Sequence, residues 1–325
     1  MERAQKELVR VARNSAVRLL RGVLFQSGLL LRMAQQSKHS VIMMFHGIPK
    51  ESTEEFHDLL RCLARHFTIV PLETVIDRVS RNGSQKSMIL ALTFDDGLRN
   101  HRTVVYPLLA DLRLPATFYV CPGLIERAVT TWTWELWCRI PWLSEANWRE
   151  LCTMAGIRNS TNRDAVLEWM KTIPFKKRTQ VEENIRLRTP GFAFTGAQLE
   201  LYELMSWADL AGVDPGLINV GSHTMTHCNL PPLNPVELEA ELEGSRAALE
   251  LRLGRPVHDF CYPDGKHSDV VVRAVANVYR SGVTTTCGSV SAGDPPHTLK
   301  RIGTNLDLRW VIWLLATHTN PSHRC

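Results

Sequence analysis

Residues 88–97 read Met88-Ile89-Leu90-Ala91-Leu92-Thr93-Phe94-Asp95-Asp96-Gly97, an apolar run that ends in two carboxylates and a glycine. A run this short, bounded by a turn signal, fits a strand buried on both faces. Side chains alternate across a strand, so consecutive acids at its exit leave in different directions. One turns into a site at the strand end while its neighbour takes another angle around it. Gly97 permits the sharp exit. The bland alternative is a pair of acids capping a helix that begins near Asn100.

Working outward, Ser40–Phe45, Phe67–Val70, Ala116–Cys121, Ile218–Gly221, Val257–Tyr262 and Val283–Thr286 have the same short apolar character, giving seven predicted strands with Met88–Phe94. Helical stretches separate most of them. Pro235–Leu253 is the best marked: Asn234 caps it, Pro235 fits the first turn, Glu237 sits at the third position and Gly254 supplies a left-handed stop. A second helix is expected over Asp269–Tyr279, capped by Ser268, with Val270, Val271, Ala274 and Val278 turned inward. Alternation of this kind predicts an α/β fold with a parallel sheet, either open or closed into a barrel, and ligands beyond the carboxyl ends of its strands.

Residues 123–216 break the rhythm. They are mostly helical in pattern and hold Trp132, Trp134, Trp137, Trp142, Trp148, Trp169 and Trp207, with a basic patch at Lys171, Lys176, Lys177 and Arg178. This stretch reads as a helical insertion whose tryptophans form its own small core, the alternative being a stacking surface for sugar.

With 325 residues, 44% hydrophobic and 22% charged, the chain is long enough for a substantial core and unlike a disordered one. Its eight cysteines include no C-x-x-C pair, which argues against a disulfide framework and for a reducing compartment. The net charge of +5 is concentrated: residues 1–40 carry eight basic side chains against Glu2 and Glu7, so the body is nearly neutral. A neutral body argues against a nucleic-acid partner.

The arm, residues 1–38, is basic and amphipathic, with Arg10, Arg13, Arg18, Arg21 and Arg32 among leucines and valines. Its longest uncharged stretch, Gly22–Leu31, is half of the ~20 residues a spanning helix needs. Nor does it follow a cleavable secretory pattern. Residues 1–33 therefore suit peripheral contact with an anionic membrane, or packing on the protein itself or on a partner. The expected location is cytoplasmic, on the inner face of the membrane where such contact occurs. The expected body is 39–310, with a C-terminal tail at 311–325.

The second polar cluster follows another predicted strand: Ser222-His223-Thr224-Met225-Thr226-His227. Two histidines four apart can converge on one ion, and one carboxylate with two imidazoles leaves room for water, as in a catalytic rather than a structural zinc site. The other carboxylate of Asp95 and Asp96 is then free to accept a proton. The same donor set also suits non-haem iron. A third turn, Tyr262-Pro263-Asp264-Gly265, presents backbone N–H groups able to face an oxyanion, or is an ordinary Pro-Gly turn.

Thr93-Phe94-Asp95-Asp96-Gly97, His223-Thr224-Met225-Thr226-His227 and Tyr262-Pro263-Asp264-Gly265 together resemble the NodB-homology polysaccharide deacetylases, carbohydrate esterase family four, over roughly residues 40–305. The resemblance implies an irregular (β/α) barrel with the helical insertion added to it. It implies Asp95 as general base, with Asp96, His223 and His227 on one divalent metal ion, commonly zinc. It further implies an N-acetylated saccharide as substrate. From the turn itself, Asp264 is the expected backbone oxyanion donor, with Tyr262 and Pro263 against the substrate.

Two departures stand out. Many members place an arginine two residues before the third motif's proline, where this chain has Cys261; Arg301 is expected to reach back in its place. The family's late Leu-x-His acid is matched only by His318, near the C-terminus. His46, in Phe45-His46-Gly47, resembles the Tyr-His segment at the first strand of many relatives and is expected near the site. A metal-binding but catalytically silent scaffold in envelope polysaccharide assembly is the remaining alternative, motivated by Cys261 and the missing late histidine.

Overall fold

The computed structural model describes residues 22–80, 87–157 and 162–317. Residues 1–21 of the basic arm and His318 lie outside that range. Eight strands are described, all parallel to their neighbours: β1 Ser40–Phe45, β2 Thr68–Ile69, β3 Ile89–Phe94, β4 Ala116–Val120, β5 Ile218–Ser222, β6 Asp259–Cys261, β7 Ser281–Cys287 and β8 Leu299–Gly303. β1 pairs with β3 on one side and β8 on the other, so seven strands close into a barrel. β2 stands outside the ring. It pairs with the start of β3, on the edge that β4 takes over from Leu92 onward.

Strand parity sorts the side chains into two cores. In β3, Leu90, Leu92 and Phe94 face the surrounding helices, while Ile89 and Ala91 pack with Ile42, Tyr119, Cys261, Val283 and Leu299 in the other cluster. Thr93 shares the parity of Ile89 and Ala91, and so does Asp95 just beyond the strand. The polar layer at the carboxyl end of the barrel thus continues an apolar interior.

β8 was not among the seven predicted strands. Its Leu299-Lys300-Arg301-Ile302-Gly303 alternates, but with a basic residue at an inward position it does not read as a core strand. Leu299 and Arg301 are both fully buried and Lys300 is exposed. The helix Pro235–Leu253 has the predicted ends, with Asn234 and Glu237 forming a reciprocal cap and Gly254 left-handed at φ 65°. The helix Asp269–Val278 differs in one detail: Val271 and Val275 are buried, whereas Val270 is 61% exposed, because the stripe starts one residue later than its β-branched run suggests.

The boundary expected at residue 311 falls inside a helix, Leu308–Thr317, whose Val311, Ile312, Leu314 and Leu315 are buried. It packs on the helix Leu29–Gln36, which buries Leu30 and Ala34. Among the described residues no helix is long and apolar enough to cross a membrane.

Within 123–216 the helices Trp132–Arg139, Glu145–Met154, Arg163–Met170 and Phe175–Leu187 enclose a separate core of Trp132, Leu136, Ile140, Val166, Met170 and Ile185. The tryptophans divide between roles. Trp132, Trp137, Trp148 and Trp169 serve that core, Trp207 packs on the barrel's outer layer, and Trp142 is exposed. Trp134 turns towards the barrel mouth.

Candidate active site

The carboxyl ends of the strands open into a cleft of ≈ 530 Å³, lined on the barrel side by His46, Asp95, Asp96, His223, His227 and Asp264. The insertion supplies the facing wall with Trp134, Trp137, Leu167 and Lys171. Asp95 enters the cleft by strand parity alone. Asp96 would point outward by the same rule, but its backbone is left-handed at φ 74° and carries the carboxylate back. Aspartate tolerates that region better than most residues, at a cost of ~1–3 kcal/mol. Gly97 follows at φ 65°, its Cα so close to Val120 that a Cβ would approach Val120 Cγ1 to 3.2 Å.

His223 leaves β5 with its N–H on Val120 O and its Nδ1 donating to Cys261 O at 2.8 Å, which turns Nε2 towards Asp96. The chain then makes a tight turn with Thr224 and His227 at φ 67° and 56°. Glu241, from the helix Pro235–Leu253, accepts from Met225 N–H at 2.8 Å, Thr226 N–H at 3.0 Å and Thr226 Oγ1 at 2.6 Å. His227 Nε2 thereby comes within 3.0 Å of Asp96 Oδ1, and His223 Nε2 within 3.5 Å of the same oxygen. Burial alone would raise the Asp96 pKa, but the two imidazoles beside it hold the carboxyl well below the usual range.

These three atoms fit a metal. Ligands ~2.0–2.1 Å from a tetrahedral ion stand ~3.3 Å apart, and the two separations here bracket that value. A second trio able to gather on one ion, Asp95, His223 and Cys261, is also present. It does not fit, because the Arg301 guanidinium lies among its donors, with Nη2 at 2.6 Å from Asp95 Oδ2 and 3.2 Å from Cys261 Sγ.

Arg301 reaches Asp95 from β8, two strands beyond β6, and is completely buried. Burial by itself would raise the Asp95 pKa; the paired guanidinium outweighs it and keeps the carboxyl below its ordinary value. The small Cys261 leaves the volume into which Arg301 extends.

The third turn is built around a left-handed Asp264 at φ 54° and Gly265 at φ 68°. A Cβ on Gly265 would lie 2.2 Å from Thr285 Oγ1, so only glycine fits. The Asp264 carboxylate accepts from Lys171 Nζ at 2.6 Å and Asn229 Nδ2 at 3.1 Å. Burial raises its pKa, but His227 and Lys171 together hold it below normal.

Tyr262 and Pro263 correct the sequence expectation: both are buried, and neither lines the cleft. Tyr262 has the outward parity of Phe260, packs against that ring and donates its hydroxyl to His297 O at 2.9 Å. His46 does reach the cleft, with its ring exposed and 6.5 Å from that of Trp134. Its carbonyl accepts from His101 Nε2 at 3.2 Å, a buried histidine that sequence reading passed over. Glu241 and Asn229 were likewise passed over, and Trp132, Trp134 and Lys171 were read only as members of a tryptophan cluster and a basic patch, since nothing local marks their partners.

The sequence profile described as polysaccharide deacetylase matches residues 82–155 and 209–280, which include Asp95, Asp96, His223, His227 and the third turn. Over those two stretches the chain matches the polysaccharide deacetylase family. The unmatched gap between the two stretches falls inside the helical insertion. No curated protein matches the sequence.

Solved structures share its fold at low identity. The deacetylase PplD of Streptococcus pyogenes, in complex with acetate, is 18% identical with TM-score 0.55, covering 83% of this chain and 93% of PplD. IcaB of Ammonifex degensii is 17% identical with TM-score 0.55, covering 86% and 98% respectively. BC0361, a polysaccharide deacetylase from Bacillus cereus, is 18% identical with TM-score 0.51, covering 85% and 69%.

Proposed function

We propose that this protein is a metal-dependent hydrolase that removes acetyl groups from an N-acetylated amino sugar in a polysaccharide, oligosaccharide or glycan precursor. One observation carries the reading: Asp96, His223 and His227 converge on a single point beside an ionised, arginine-held Asp95. Asp96 Oδ1 and the two Nε2 atoms would hold the ion, which we take to be zinc. A divalent ion there supplies Lewis-acid polarisation of a carbonyl and acidifies water.

The chain's own groups account for the proton movements. Asp95 accepts the proton that water loses as its oxygen bonds to the acetamido carbon; Arg301 keeps that base ionised and oriented. Gly265 and Lys266 N–H groups are engaged inside the third turn at 2.8 and 3.1 Å, so the backbone donor we assign to the developing oxyanion is Asp264 N–H. Breaking the C–N bond requires a proton for the leaving amine. We assign it to His46, the cleft's imidazole outside the ligand set.

The test is acetate release from polymeric, lipid-linked and nucleotide-linked acetamido sugars, with metal analysis of the same sample. Asp95→Asn should retain zinc and lose turnover ~10²–10⁴-fold, whereas Asp96→Asn, His223→Ala and His227→Ala should lose zinc. Zinc-loaded protein that releases no acetate from any of these sugars favours the silent scaffold. Turnover that requires oxygen favours non-haem iron.

We also propose peripheral contact with an anionic membrane. Leu29 and Met33, 46% and 43% exposed, lie away from the buried Leu30 and Ala34 of the same helix, next to the basic N-terminal stretch. Co-sedimentation with anionic but not neutral vesicles, lost in Leu29→Glu/Met33→Glu, is the expected result.

A further inference from the structure

Two tryptophans on the first turn of one insertion helix, Trp132–Arg139, reach the two halves of the metal site. Trp134 Nε1 donates to Asp96 Oδ2 at 2.8 Å. Trp132 Nε1 donates to the His227 carbonyl at 2.8 Å. The residues they hold come from loops 131 residues apart, and both have left-handed backbones, φ 74° and 56°. Such conformations persist where the surroundings over-determine them.

The indoles are themselves fixed. Trp134 stacks on Tyr202 with ring centroids 4.5 Å apart and planes 16° from parallel. Trp132 is 5% exposed, with the Arg178 guanidinium 4.5 Å from its ring centroid. An indole N–H donates only, so Trp134 holds the outer oxygen of Asp96 as an unprotonated acceptor. Oδ1 is the oxygen facing both imidazoles.

We propose that the start of this insertion helix is a clasp for the metal centre, in which Trp134 restricts Asp96 to ligation through Oδ1 alone and Trp132 fixes the turn that carries His227. Both are positioning residues. They act on the ion through Asp96 and His227, as outer hydrogen bonds do in other metal sites. The insertion therefore belongs to the active centre as well as walling the cleft. With one oxygen of Asp96 engaged elsewhere, two imidazoles and one carboxylate oxygen leave coordination positions for water and substrate.

This inference rests on the metal reading above, and its test is independent of acetate release. Zinc affinity of the full chain is measured by competition with a chelating dye, alongside visible absorption of the cobalt-substituted protein. Trp134→Phe keeps the ring stacked on Tyr202 and removes only the donor. It should weaken zinc binding ~10–100-fold and lower the intensity of the cobalt bands, as a freed Oδ2 raises the coordination number. Trp132→Phe should weaken zinc without that spectral change, because Asp96 keeps its outer donor. Trp137→Phe, on the same helix and in the same cleft, should leave both readouts as in the wild type.

Circular dichroism and melting curves restrict the comparison to folded protein. Zinc affinity within two-fold of wild type together with an unchanged cobalt spectrum in Trp134→Phe overturns the clasp. So does an equal loss of affinity in Trp137→Phe. Wild-type protein that binds neither ion overturns the metal reading itself, a distinct result.

Discussion

Arg301 holds Asp95 with both terminal nitrogens, Nη1 on Oδ1 at 2.7 Å and Nη2 on Oδ2 at 2.6 Å, across 206 residues of sequence. Its other donors reach Thr284 O at 2.8 Å, Thr93 Oγ1 at 3.1 Å and Cys261 Sγ at 3.2 Å. Every side of this buried cation is answered, which is the condition under which a buried pair is tolerable.

Removing the cation leaves Asp95 buried and unpaired. Arg301→Met should lose about 3–5 kcal/mol of stability, read by urea unfolding, and most turnover with it. Adding Cys261→Arg places the guanidinium on β6 instead, the position the family resemblance indicates. The double variant should recover turnover over the single; no recovery would show that the two positions do not share one role.

Glu241 organises the turn between His223 and His227 through three hydrogen bonds. Glu241→Ala strands two backbone donors and should destabilise the protein by about 1–3 kcal/mol. Zinc affinity should fall ~10-fold, with Glu241→Gln intermediate because its amide oxygen still accepts. Competition titration with a chelator checks the order.

Lys171 ties the insertion to the Asp264 turn. Lys171→Met preserves the stem and removes the cation, so acetate turnover should drop about 10-fold or more through misplacement of the Asp264 N–H. Zinc binding should not change. Lys171→Arg should restore part of the rate, and an equal loss in both would argue against the ion pair.

His101 lies between Phe94 and Phe118, its ring 5.5 and 5.3 Å from theirs. Burial pushes its pKa down to about 4 from an ordinary 6.5. Between those values the unfolded chain binds the proton and the folded one does not, so this group makes stability fall as pH drops. The loss should approach roughly 3 kcal/mol near pH 4. In His101→Gln the fall in unfolding free energy from pH 7 to pH 4 should be smaller by that amount, measured by urea unfolding at pH 7, 5.5 and 4.

Much of the site was legible where its signal is local. Met88–Phe94 running into Asp95-Asp96-Gly97, and Ile218–Gly221 running into His223 and His227, announce strand ends with chemistry on them. What failed was parity in a turn and polarity in a strand. Tyr262 faces outward because Cys261 before it faces in, and a three-residue strand offers too little pattern to decide which. β8 was missed because its inward position holds Arg301, a residue that hydrophobic patterning counts as surface.

Local sequence marked the acids and imidazoles of the candidate site and the parallel strands that deliver them, because both depend on neighbours a few residues apart. Tertiary structure alone decided that the sheet closes, that Arg301 and not a residue near Cys261 answers Asp95, and that Trp132, Trp134 and Lys171 grip the site from the insertion. Those pairings follow from strand order and from how one helix cluster seats on a barrel mouth. Contacts between segments 38 to 206 residues apart leave no periodicity in the chain that makes them.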